Sequence, residues 1–381
     1  MMEFPRNLPQ AKRIAFLMNE KPRQTKKKFA VGHFYPHDHF VFQDVAGRYL
    51  DFIQEIYFSW PLLKNARRTQ GDPAEAIETV SADMLWARSK GLSLDLLINA
   101  LCYGDEAFTP EQHAHVIGAL AEMDRRGILP ETVTVISPYL AQIIKHDFPK
   151  IDIRASVNAR VDSIISMEYM APMFDSYYIS RDLQRDLPTL RAFRKWTRDH
   201  GKKLCMLVNG SCLRNCPFHF FHETLNSHGL NRTVPETKRT GIQPSRCINM
   251  YMKKQYEEIL RSSWIRPEDL HIYEDEVDVI KLSTRTVPDP ERIVRAYCER
   301  SYDGNLLRLL DPVYTFFFRP HILDNKRFPD DWAESGIGGK CATSCTHCGK
   351  CTEVLSKVLV VDPEFGKAKA ADYHFVPKMK I

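Results

Sequence analysis

The chain has 381 residues, 44% of them hydrophobic, and a formal net charge of +5. That length supplies a sizeable core and one large domain or two, while the mild positive charge tolerates an anionic substrate or a nucleic acid without requiring either. No run approaches the roughly 20 apolar residues of a membrane span, and no secretory signal opens the chain, so a cytoplasmic protein is expected, in which ten cysteines favour metal or redox work over disulfides.

Residues 1–28 read as a leader with a short helix over 8–19 and a basic run over 21–28. A strand over 29–33 runs into His33, His37 and His39, most simply a polar loop. A second strand covers 54–60. Asp72 and Pro73 then open a helix over 74–90, because an aspartate N-cap followed by proline at the first helical position satisfies orphan N–H groups and presets the backbone. The pattern repeats, with strands over 94–101, 132–136, 152–157, 176–179, 203–208 and 277–282. Helices fall over 110–126, 138–147, 161–170 and 187–200. Such alternation calls for parallel strands, and eight of them over residues 29–287 fit an α/β fold of the (β/α)8 TIM-like barrel type. Asn158, Arg181, Asp182, Asn209, Lys281 and Arg285 stand at or just past strand ends, where such a barrel opens onto one face. After 288 the rhythm stops, leaving a C-terminal extension over 288–381 with a helix over 290–301, an irregular aromatic stretch over 302–340 and a helix over 352–360. The connection between the seventh and eighth strands is long and carries a helix over 250–262.

Two cysteine groups carry the chemistry. Leu204 to His222, LCMLVNGSCLRNCPFHFFH, is a strand that turns at Asn209-Gly210 and delivers Cys212 and Cys216 to its C-terminal end, with His219 and His222 behind them. Cys247 follows and makes a three-thiol set. The other group, Cys341, Cys345, Cys348 and Cys351, has the spacing C-x3-C-x2-C-x2-C. Four thiols that compact suit a [4Fe-4S] cluster, with tetrahedral zinc as the competitor. The first three also match the radical S-adenosylmethionine spacing, but they follow the last strand, and Cys351 would close the iron that chemistry needs open. Cys102, Cys205 and Cys298 read as buried small hydrophobes. Arg181, Arg246 and Arg285 are candidates for binding a carboxylate or phosphate, and His219 or His222 for moving protons. No serine-hydrolase elbow, zinc-protease helix or phosphate loop is present.

Ser180-Arg181-Asp182-Leu183 before a helix, then Val208-Asn209-Gly210-Ser211-Cys212 after the next strand, resemble the core of the collagenase-like peptidases, family U-thirty-two. Asn209 to Phe218, Ile265 to Leu270 and Ile280 to Arg285 resemble a less characterised branch, and the resemblance spans roughly residues 29–300. It implies a barrel with a cysteine-ligated iron–sulfur cluster at its mouth, held here by Cys212, Cys216 and Cys247. It also implies oxygen-independent hydroxylation as one activity of the family, despite the peptidase name.

The expectation is an iron–sulfur redox enzyme with two clusters, the C-terminal one relaying electrons from a donor protein. Arg181, Lys281 and Arg285 hold an anionic group of a small molecule, peptide or RNA base. A peptidase, or a binding and assembly protein with structural clusters, are the other readings.

Overall fold

A computed structural model describes residues 29–66, 72–228, 246–337 and 345–365. The leader helix at 8–19, the basic runs at 21–28 and 367–380, and Cys341 lie outside the described residues.

Eight parallel strands close into a barrel: β1 Phe29–Gly32, β2 Ile53–Phe58, β3 Ser93–Ile98, β4 Thr132–Val135, β5 Asp152–Ala155, β6 Ser176–Tyr178, β7 Lys203–Leu207 and β8 Val279–Leu282. Closure is made where β1 pairs with β8, Ala30 facing Lys281. The outward strand residues, such as Ile56, Leu94, Leu96, Val133, Ile153, Met206 and Ile280, are fully buried beneath the helices. Several of those helices start the same way. Asp72, Thr109, Ser137 and Asp289 each precede a proline and accept a backbone N–H three residues on, at 3.1, 3.2, 3.3 and 2.8 Å. Each such cap is worth about 1 kcal/mol.

The inward positions are unlike an ordinary barrel core. Glu55, Asp95, Arg154 and Lys281 all point inside and are all buried. Arg154 clamps Glu55 with two bonds of 2.6 and 2.9 Å, reaches Asp95 at 3.1 Å, and donates from Nε to the Ser176 hydroxyl at 3.1 Å. The Thr134 hydroxyl donates to Asp95. Around them Ala30, Tyr57, Leu97, Tyr178, Cys205 and Val279 form a separate apolar cluster inside the barrel.

Four local expectations are corrected. A helix at Phe42–Arg48 was not foreseen; it is short and its N-cap, Val41, offers no side-chain acceptor. The helix expected from 161 starts at Ile164, capped by Ser163, because Val161 is drawn into a bridge with Ile179. The helix expected over 250–262 is Arg246–Met252 followed by a 3-10 segment, Tyr256–Arg261, with the break at Lys254, whose φ of 61° is left-handed. The final helix, Lys350–Val358, gives way to a strand, Leu359–Val361, that pairs antiparallel with His321–Leu323 inside the stretch read as irregular. This C-terminal helix packs against Tyr256–Arg261.

Candidate functional site at the barrel mouth

The turn after β7 is built around Asn209. It is wholly buried, its amide donating to the carbonyls of Ser283 and Leu309, both at 3.0 Å, and accepting the Ser283 N–H at 2.7 Å. Asn209 is therefore a brace between β7 and the segment after β8 rather than a residue open to the mouth. Beyond it, the Ser211 N–H donates to Asp311 at 2.9 Å. The loop from Cys212 to Cys216 is fixed from the other side by Asp182, which accepts from the Asn215 N–H at 2.8 Å and pairs with Arg160.

Arg181, just past β6, is the hub. One guanidinium nitrogen donates to the Cys212 sulfur at 3.1 Å. The other lies 2.8 Å from the Asn158 side-chain oxygen and 3.2 Å from Nε2 of His219. A guanidinium only donates, so that ring nitrogen accepts and the imidazole is neutral. Burial first, then Arg181 and Arg160, pushes the His219 pKa down to about 3. Burial likewise pushes the Cys212 thiol up to about 11, against the pull of Arg181. Arg160, Arg181, Asp182, Cys212, Cys216 and His219 line one narrow cleft.

Cys247 arrives from the helix Arg246–Met252. Its sulfur lies 3.1 Å from the Tyr314 hydroxyl. Burial raises its pKa, and it feels the charge of Cys216, as Cys212 feels that of Cys247. The three thiols thus share one neighbourhood, although no three histidine, cysteine or carboxylate side chains converge as a metal-binding group among the described residues. The donor set fits thiolate sulfur, since a guanidinium donates to Cys212 and the Tyr314 hydroxyl lies within hydrogen-bonding distance of Cys247, and hydrogen bonds to sulfur tune cluster ligands.

The remaining sequence candidates scatter. His222 lies one turn along from His219 on the helix His219–His228 and adds to the charge that depresses it. Arg246 is exposed. Arg285 donates to the Ser59 hydroxyl across the barrel end. Lys281 lies inside the barrel with its ammonium 3.7 Å from the Tyr57 ring centroid, not at the rim with Arg181. His33 is buried and bonded to Asp83 at 2.8 Å, while His37 lies 3.0 Å from the Tyr35 carbonyl, so the N-terminal histidines form no common site. Cys205 is buried inside the barrel and Cys298 under its helix, whereas Cys102 is partly exposed. In the C-terminal group Cys345 is exposed and Cys348 and Cys351 are partly so. Arg261, on the segment against which that helix packs, hydrogen-bonds Cys351 and lies near Cys345.

Sequence reasoning missed Tyr314, Arg160, Glu55, Asp95 and Arg154. For the last three a signal existed: a charged residue at an inward position of a buried parallel strand.

No family model matches the chain. It is 28% identical over 315 residues to an uncharacterized protease of Methanocaldococcus jannaschii, an alignment covering 81% of this chain and 89% of that protein. Among solved structures, a U32 peptidase shares 16% identity at a TM-score of 0.46, over 69% of this chain and 94% of its own. An α-amylase from Lactobacillus plantarum shares 10% at 0.32, over 49% and 63%.

Proposed function

We propose that this chain, which resembles the U32 peptidase family, is an enzyme that holds an iron–sulfur cluster at its barrel mouth through Cys212, Cys216 and Cys247. Oxygen-independent hydroxylation of an anionic substrate is the reaction we assign to it. The observation that carries the reading is the hydrogen bonding at sulfur, from Arg181 to Cys212 and between Tyr314 and Cys247. Such hydrogen bonds favour the thiolate, which is the ligating form. A [4Fe-4S] cluster would be held there by Cys212, Cys216 and Cys247 and would supply one-electron chemistry. Arg181 places a fixed positive charge beside the Cys212 sulfur. His219 stays neutral and orients Arg181, which leaves His222 as the proton carrier. Arg285 attracts the anionic part of the substrate from the β8 side of the mouth, with Lys281 adding its charge from inside the barrel.

Cys345, Cys348 and Cys351, together with Cys341, are assigned to a second cluster that relays electrons from a donor protein, with zinc as the alternative metal. Arg261 supports that group through its hydrogen bond to Cys351.

A peptidase acting through a cysteine nucleophile would need that thiol beside a basic histidine. Here the imidazole nearest Cys212 is turned to Arg181 instead. Anaerobic purification with iron and sulfide counting, followed by electron paramagnetic resonance of the reduced protein, tests the proposal. Two redox-active clusters are expected. Stoichiometric zinc without iron, or peptide-bond cleavage by iron-free protein, would overturn it.

A further inference from the structure

The two residues that follow Ser180 after β6 reach the cysteine loop in different ways. Arg181 donates to the Cys212 sulfur. Its neighbour Asp182 serves the backbone instead. One carboxylate oxygen, Oδ1, accepts the Asn215 N–H at 2.8 Å, and the Asp182 carbonyl accepts from Nε of Arg214 at 3.1 Å. The other oxygen, Oδ2, pairs with Arg160, whose guanidinium also lies 5.5 Å from the Phe220 ring centroid. Asp182 is therefore held from behind by one arginine while it holds two consecutive residues between the thiols.

What it holds is an unfavourable backbone. Asn215 has φ of 52°, in the left-handed region that asparagine visits more readily than most residues but still at a cost. Its side chain is exposed, so burial does not keep it there. The bond to Asp182 does, and Cys216 is the next residue. The other flank of the loop is fixed separately. Ser211 donates from its N–H to the Asp311 carbonyl at 2.9 Å and from its hydroxyl to the Pro312 carbonyl at 2.7 Å, and its own carbonyl accepts the Ser262 hydroxyl at 3.1 Å. Each thiol is thus placed by the residue before it, Cys212 from the side of Asp311 and Cys216 from the side of Asp182. A ligand loop held beforehand loses less chain entropy on binding than one the metal must order. We propose that Asp182 is a positioning residue for metal: by holding Asn215 left-handed it sets Cys216 relative to Cys212 before a metal arrives. This rests on the assignment of both cysteines as ligands and deepens it by naming what shapes their loop, whichever metal they take.

The test is anaerobic titration of the iron-free full chain with Co2+, read by the thiolate-to-cobalt charge-transfer absorbance. The part of that signal abolished by Cys212→Ala belongs to this loop. Thermal unfolding is measured on every variant. Asp182→Ala is expected to bind Co2+ about tenfold more weakly or worse, the usual cost of removing a group that orients a ligand. Asn215→Val, at an exposed site, should weaken binding about tenfold, because a β-branched residue resists positive φ, whereas Asn215→Gly, which accepts it, should bind as wild type. Arg160→Met spares the Asn215 bond and should weaken binding by no more than about threefold. A role in stability alone would not separate valine from glycine at 215 in the cobalt spectrum. Wild-type affinity in Asp182→Ala or Asn215→Val, a loss in Asn215→Gly as large as in Asn215→Val, a loss in Arg160→Met as large as in Asp182→Ala, or no cobalt–thiolate signal in wild type would overturn the positioning role. Iron and sulfide counting decides the cluster separately: the expected cobalt pattern in a chain that purifies with zinc and no iron would sink the cluster and keep the role of Asp182.

Discussion

The barrel interior and the cysteine loops above it handle buried polarity in opposite ways. Inside, Arg154 is closed by two carboxylates, a bidentate clamp and a serine, so little is left for a ligand. At the mouth, Arg181 spends its donors on a sulfur, an amide and a neutral imidazole, and no carboxylate cancels its charge within that set. The first arrangement is structural because its two carboxylates are met by Arg154 and, at longer range, by the buried Lys281. The second keeps a net positive charge beside the Cys212 sulfur, which is what an anionic cluster or substrate needs. Lys281 stands between the two, inside the barrel with its ammonium on the Tyr57 and Tyr178 rings and within the field of Asp95 and Glu55.

The contrast predicts unequal failures. Glu55→Ala leaves Arg154 buried with half its partners and should cost about 3–5 kcal/mol in urea unfolding, the penalty of breaking a buried pair from one side. If the loss is under 1 kcal/mol, the interior network is not the structural element described. Cys212→Ala should instead leave the unfolding midpoint nearly in place while removing the barrel iron and its resonance signal. Cys345→Ala should remove only the second signal, and loss of both signals from either variant would mean one shared centre. Arg181→Met removes a cation next to sulfur, so the reduction potential of the barrel cluster should move to more negative values with iron retained; an unmoved potential in a spectroelectrochemical titration breaks the link between Arg181 and the cluster.

The smallest effect is a pH slope. Burial lowers the Lys281 pKa, Asp95 and Glu55 pull it up, and Arg285 and Arg154 add to the lowering; the rings of Tyr57 and Tyr178 complete its surroundings. In the folded state Lys281 therefore releases its proton before the unfolded chain does, at about 10.4. Across that window the unfolded state binds more protons, so stability contributed by this residue rises with pH and levels off above the unfolded value. Subtracting the Lys281→Met unfolding profile from that of wild type should show this slope, and a flat difference would place the ammonium in water.

The strand–helix alternation and the cap at Asp72 were legible because they depend on residues a few positions apart. The grouping of Cys212 with Cys216 was legible for the same reason. The ending of the helix at Lys254 was not, since a left-handed lysine leaves no compositional mark. Asn209 shows the same limit from the other side: its residue type and place fit a mouth residue, but its partners Ser283 and Leu309 come from about a hundred residues or fewer downstream and turn it into a brace.

By itself the sequence determined the barrel, the starts of most of its helices and the two clusters of thiols, because propensity, capping and spacing act locally along the chain. Tertiary structure decided which charges meet. It set Arg154 between Glu55 and Asp95, brought Tyr314 to Cys247 and Arg181 to Cys212, laid Lys281 against Tyr57, and left the Tyr178 hydroxyl without a hydrogen-bond partner. Those relations depend on closure of the barrel and on packing of the segments after β7 and β8, contacts between residues far apart in the chain that no local pattern encodes.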